Sequence, residues 1–91
     1  MKKNEIIKDR LEEWVESKGF LSSRFTIIEL CKIIGINRTY LSNYINSTYG
    51  LNFNLWINHL RIEEAKQLMG QTPKRSLSEI AERIGFTDLA H

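Results

Sequence analysis

The sequence predicts an all-α fold in which one short helical pattern occurs twice, with a single long helix between the two copies. Three observations carry this. Apolar residues recur at three- and four-residue spacing almost throughout, with one proline, Pro73, and no strand-type alternation. Residues suited to capping stand before each apolar run. Residues 26–36 are also echoed, fifty positions later, by residues 76–86.

The first helix is expected over residues 4 to about 18, where Ile7, Leu11, Trp14 and Val15 share a face and Gly19 stands as a stop. Residues 20–24 form a connector. The second helix occupies residues 26–34, opened by Thr26 and Glu29 in capping-box spacing and broken at Gly35. Asn37 then caps a third helix over roughly residues 38–47, ending at Tyr49-Gly50. Asn52 caps the long fourth helix, residues 53 to about 69, with Phe53, Trp56, Ile57, Leu60, Leu68 and Met69 along one side. After a loop around Thr72 and Pro73, Ser76 and Glu79 open a fifth helix running to Ile84, and Asp88 caps a sixth that has barely begun at His91.

Aligned, Thr-Ile-Ile-Glu-Leu-Cys-Lys-Ile-Ile-Gly-Ile faces Ser-Leu-Ser-Glu-Ile-Ala-Glu-Arg-Ile-Gly-Phe. Each shared position has a physical reason in a helix-turn-helix. The small residue (Cys31, Ala81) allows a close helix crossing. The glycine four residues later (Gly35, Gly85) frees the backbone for a tight turn. The apolar residue after it fills the gap between the helices. The polar caps Asn37 and Asp88 begin the next helix, at an offset of one residue more. The organisation expected is therefore a helix and connector (1–24), a first helix-turn-helix (25–51), a linker helix (52–70) and a partial second unit (76–91).

Composition bounds the function. An apolar share of 42% with two Trp, four Phe and three Tyr excludes a disordered chain. The net charge of +2 is slight, but its distribution is uneven: no Asp or Glu lies between Glu29 and Glu63, whereas Lys32, Arg38 and Arg61 do. A surface lying against phosphates needs such a stretch, because every carboxylate there would be repelled. With Leu41 and Ile45 facing inward, the third helix turns Thr39, Ser42, Asn43 and Asn46 outward, with Arg38 near its start. That face offers donors and acceptors without negative charge, as base edges require. Arg38 and Tyr40, near the helix start, suit phosphate oxygens.

The single cysteine, Cys31, rules out an internal disulfide and reads as a small buried thiol. No signal peptide or membrane span is present, so the cytoplasm is the expected compartment and no membrane contact is expected. His59 is alone in mid-helix and His91 is terminal, and no carboxylate pair or Cys–His set converges, so an enzyme is not expected. His59 and Glu63, one turn apart, are two ligands without a third and read as a surface pair; neither a metal nor another cofactor is expected. The competing reading is a small helical module that binds another protein through the Trp14 face or through the apolar surface that missing C-terminal helices would leave bare.

Three stretches, Gly-Ile-Asn-Arg-Thr-Tyr-Leu-Ser-Asn-Tyr-Ile ending at Ile45, Leu-Arg-Ile-Glu-Glu-Ala-Lys-Gln-Leu ending at Leu68, and Ser-Glu-Ile-Ala-Glu-Arg-Ile-Gly-Phe-Thr-Asp ending at Asp88, give a further lead. Together they make residues 26–91 resemble the DNA-binding domain of AraC/XylS-family bacterial transcription regulators. The resemblance implies a homeodomain-like all-α fold whose two units place recognition helices in successive major-groove segments of double-stranded DNA. It implies base reading by Thr39, Ser42 and Asn43, backbone contacts by Arg38, Tyr40 and Asn46, and an orienting hydrogen-bond or ion-pair role for Arg61. Ala90 and His91 would open the second recognition helix. Family members continue with an aromatic residue, a basic stretch and a closing Gly-x-Thr/Ser-Pro segment. None of these follows His91, so the second unit is expected to be incomplete. The helix at residues 4–18 either pads the first unit or is the tail of a linker from a sensor domain in a longer parent protein.

Overall fold

The computed structural model describes residues 3–70 and 75–85. The helices are α1 (Lys3–Glu16), α2 (Ile27–Ile34), α3 (Arg38–Tyr49), α4 (Phe53–Met69) and α5 (Leu77–Arg83), with a 3-10 turn at Gly19–Leu21 after α1. No strand occurs among the described residues. The sixth helix expected after Asp88, with Ala90 and His91, lies outside the described residues.

Local chemistry starts each helix from α2 to α5. The side chains of Thr26, Asn37, Asn52 and Ser76 accept hydrogen bonds from the backbone N–H three residues on, in Glu29, Tyr40, Leu55 and Glu79. Each satisfies an otherwise orphaned donor in a first turn. The glycines of the two repeated turns share one φ, 86° at Gly35 and 85° at Gly85. That left-handed region is costly for any residue with a Cβ.

The end of α1 departs from expectation. The left-handed residue is Lys18 (φ 61°), not Gly19. Gly19 is needed for a different reason: a Cβ there would overlap the indole of Trp14, over which the chain folds back. α3, by contrast, keeps its helical form through Ser47 to Tyr49 and ends at the expected Tyr49-Gly50, where Gly50 at φ 71° closes it. α5 ends at Arg83, with Ile84 as its cap.

Two clusters form the core, and α4 spans both. The larger joins Ile7, Leu11 and Trp14 of α1 to Phe20, to Leu30, Cys31 and Ile34 of α2, to Leu41 and Ile45 of α3, and to Phe53, Trp56 and Ile57 of α4. The smaller joins Ala65 and Leu68 of α4 to Ile80 and Ile84, and Leu21 packs against both. α1 thus packs into the core of the first helix-turn-helix. Met69 does not line the core as expected: it is 49% exposed, in the helix's final position. Leu60 is only half-buried.

Polar groups on α4 tie the clusters together. Buried Arg61 donates from Nε to the Phe20 carbonyl and from Nη2 to that of Ser22, each at 2.8 Å, so of the hydrogen-bond or ion-pair contacts expected of it the structure shows hydrogen bonds. One turn on, the buried carboxylate of Glu64 receives Lys18 at 2.8 Å. The connector after α1 is therefore clamped to α4 at two points.

Candidate nucleic-acid interface

α3 is held from beneath. Leu41 and Ile45 are fully buried, so the opposite face is fixed in rotation about the helix axis. On that face Arg38, Thr39, Ser42, Asn43 and Asn46 are all exposed, whereas Tyr40 is half-buried. The structure thus brings five of the six expected contact residues of this helix to one open surface and sets the sixth at its edge.

The two flanks of this surface differ. On the first, Arg38 and Ser42 line a groove of about 420 Å³ with Phe25, Thr26, Ile27, Asn52, Phe53 and Asn54. Thr26 and Asn52 are the caps of α2 and α4, and Arg38 opens α3. Three helix N-termini therefore border one groove that no carboxylate lines. Their exposed N–H groups and positive dipole ends favour an anion. The capping residues are individually legible in sequence, but their convergence is a tertiary result.

On the second flank a cleft of about 220 Å³ is lined by Asn4, Tyr40, Asn43, Tyr44 and Ser47. The Tyr40 hydroxyl donates to Asn4 Oδ1 at 2.7 Å, and the Lys3 ammonium sits 4.3 Å from the centre of the Tyr40 ring. The start of α1 thus abuts the edge of α3's outward face. Neither Lys3 nor Asn4 is a candidate on sequence grounds, since 36 residues separate Asn4 from Tyr40.

Other candidates resolve as follows. Trp14 is buried, packed at 5.1 Å on Phe25, 5.9 Å on Trp56 and 6.3 Å on Phe20, so the Trp14 face considered for a protein partner is core and not open surface. Cys31 is a buried free thiol. Among the described residues no three His, Cys, Asp or Glu side chains gather as metal ligands, and no helix is long and apolar enough to cross a membrane.

A family model described as a helix-turn-helix domain, of the AraC type, matches residues 30–91. Comparison with curated proteins and with solved structures gave no match. The matched segment takes in the last residues of α2, all of α3, α4 and α5, and so includes the outward face of α3, but not Lys3, Asn4 or Thr26 beside it. Its family is one of DNA-binding transcription regulators, a typically non-enzymatic class, and its fold is the all-α, homeodomain-like one found here. By this match and by its architecture, the chain belongs to the AraC/XylS family of helix-turn-helix transcription regulators.

Proposed function

We propose that the chain recognises DNA sequence by laying α3 in the major groove, with Thr39, Ser42 and Asn43 at base edges and with Arg38, Tyr40 and Asn46 on the sides facing the sugar–phosphate backbone. In this reading residues 25–51 are the first reading unit, 52–70 the linker helix and 76–91 the second unit, whose contact residues begin at Ala90 and His91. The regulator works in the cytoplasm, where its DNA is.

One observation carries the reading: a polar, carboxylate-free helix face, immobilised by Leu41 and Ile45 and flanked by a groove where three helix N-termini meet. Asn43, near the middle of that face, can offer adenine a donor and an acceptor together. Ser42 suits several bases, and the Thr39 methyl can meet that of thymine.

Selection of binding sites from a random duplex library, followed by salt titration on a selected site, tests it. Affinity is expected to fall steeply with salt, as phosphate contacts release counterions. Asn43→Ala is expected to cost about 1–3 kcal/mol on the selected site and to relax base preference at one position. Absence of salt-dependent binding at low salt, or unchanged preference in Thr39→Ala, Ser42→Ala and Asn43→Ala alike, would defeat the proposal.

A further inference from the structure

We infer that the DNA-contacting surface continues from α3 onto the first turn of α1, where Tyr40 acts as a post that presents Lys3 and Asn4 to a backbone phosphate of the duplex. This rests on the proposed docking of α3 in the major groove and adds a second wall to it.

A helix lying in the major groove has a phosphate backbone on each side. The Arg38–Ser42 flank meets one of them with its gathered helix N-termini. The Tyr40–Tyr44 flank has no cation of its own on α3, since Arg38 is the only Lys or Arg in that helix. α1 supplies one. The Lys3 ammonium rests on the Tyr40 ring, and this contact uses the ring's quadrupole while leaving the N–H donors free to bond. The Tyr40 hydroxyl has a single proton, and it is given to Asn4 Oδ1. With its oxygen so occupied, the Asn4 amide is oriented, and its NH₂ group keeps both donors.

Tyr40 therefore has no proton left for a phosphate, but it fixes two groups that do. The cleft lined by Asn4 and Tyr40 has no carboxylate in its wall and is shared with Asn43, so a phosphate there would lie beside the base-reading face. Glu5 is exposed and does not line the cleft.

A double-mutant cycle on the full chain tests this, using a selected duplex and an unrelated one. Lys3→Gln is expected to weaken binding to both duplexes alike, by about eightfold at about 0.1 M salt, and to reduce the salt slope by about one. Tyr40→Phe is expected to weaken binding when Asn4 is present and to have little further effect in Asn4→Ala, because the hydroxyl acts through Asn4. Unchanged affinity and slope in Lys3→Gln overturn the inference. So does an equal loss from Tyr40→Phe in both backgrounds, which would mark a direct tyrosine–phosphate contact. If Asn43→Ala loses base preference while Lys3→Gln changes nothing, α3 docking stands and only its extension onto α1 falls. If neither variant changes binding, both fall. Unchanged melting temperatures in Lys3→Gln and Tyr40→Phe exclude an effect through folding.

Discussion

The guanidinium of Arg61 lies against Gly85: a Cβ on that glycine would stand 3.2 Å from Arg61 Cζ and 2.7 Å from the carbonyl oxygen of Leu21. Gly85 is in the left-handed region, as is Gly50, but a Cβ on Gly50 would meet nothing within 4 Å. The pair separates backbone strain from crowding. Gly50→Ala is expected to cost about 1–2 kcal/mol, the left-handed penalty alone. Gly85→Ala is expected to cost about 2–4 kcal/mol, because overpacking is added. Urea midpoints of the two variants check this, and equal losses would remove the close approach from the account.

Arg61 itself can be tested by shape. Arg61→Met keeps much of the stem and removes the donors, leaving the Phe20 and Ser22 carbonyls without their partner. A loss of about 2–4 kcal/mol is expected, in the range for buried hydrogen bonds to a charged group. Arg61→Lys should fall between, since an ammonium cannot reproduce the fork that spans two carbonyls. Burial pulls the Arg61 guanidinium below its ordinary range, yet an arginine keeps its charge throughout the accessible range. Both losses are therefore expected to be flat with pH between 5 and 9, as equilibrium unfolding at several pH values would show.

Asn37 offers a way to divide folding from binding. Its side chain caps α3 through the Tyr40 N–H at 2.8 Å. Asn37→Ala is expected to cost about 1 kcal/mol of stability. Asn37→Asp preserves the acceptor and should leave stability nearly unchanged. It also places a carboxylate in a stretch that has none, so DNA affinity is expected to fall about fivefold or more through phosphate repulsion. Thermal melts and binding isotherms on the two variants read these effects separately.

Alkaline stability is expected to depend on Tyr49. Burial, then Tyr44 and Glu12, hold its phenol above the ordinary value of 10.0. When unfolded, Tyr49 loses its proton near that value, whereas the folded chain retains it to higher pH. The unfolded state then binds fewer protons, so stability is intact below about pH 10 and declines as pH rises through the folded pKa. Tyr49→Phe should flatten this alkaline limb. Melting temperatures of both proteins at pH 8 and pH 11 provide the comparison, and parallel declines would refute the assignment.

What was legible in the sequence was mostly local. The caps at Thr26, Asn37, Asn52 and Ser76 act within three residues, and the repeated turns reach the same φ at Gly35 and Gly85 because each follows the same helical pattern. The inward positions Leu41 and Ile45 followed from periodicity, and with them the outward face of α3. The misreadings were tertiary. Gly19 looked like a helix stop, but its lack of a Cβ serves the Trp14 indole, and Lys18 makes the turn. Trp14 reads as available to a partner, but Phe25 stacks on it and Trp56 packs against it at a tilt. The meeting of Thr26 with Asn52, and of Asn4 with Tyr40, depends on how α1 and α4 cross α3, which no single stretch of sequence encodes.

The placement of the aromatic residues has an optical consequence. Both tryptophans, Trp14 and Trp56, belong to the larger cluster, and Tyr49 lies parallel to Trp56 at 5.0 Å. The smaller cluster of Ala65, Leu68, Ile80 and Ile84 contains no chromophore. Intrinsic fluorescence is accordingly a private signal of the larger cluster, whereas far-ultraviolet circular dichroism registers α5 as well. If the two clusters loosen at different temperatures, the two spectroscopies will disagree, and their difference will trace the part around α5 without any added label.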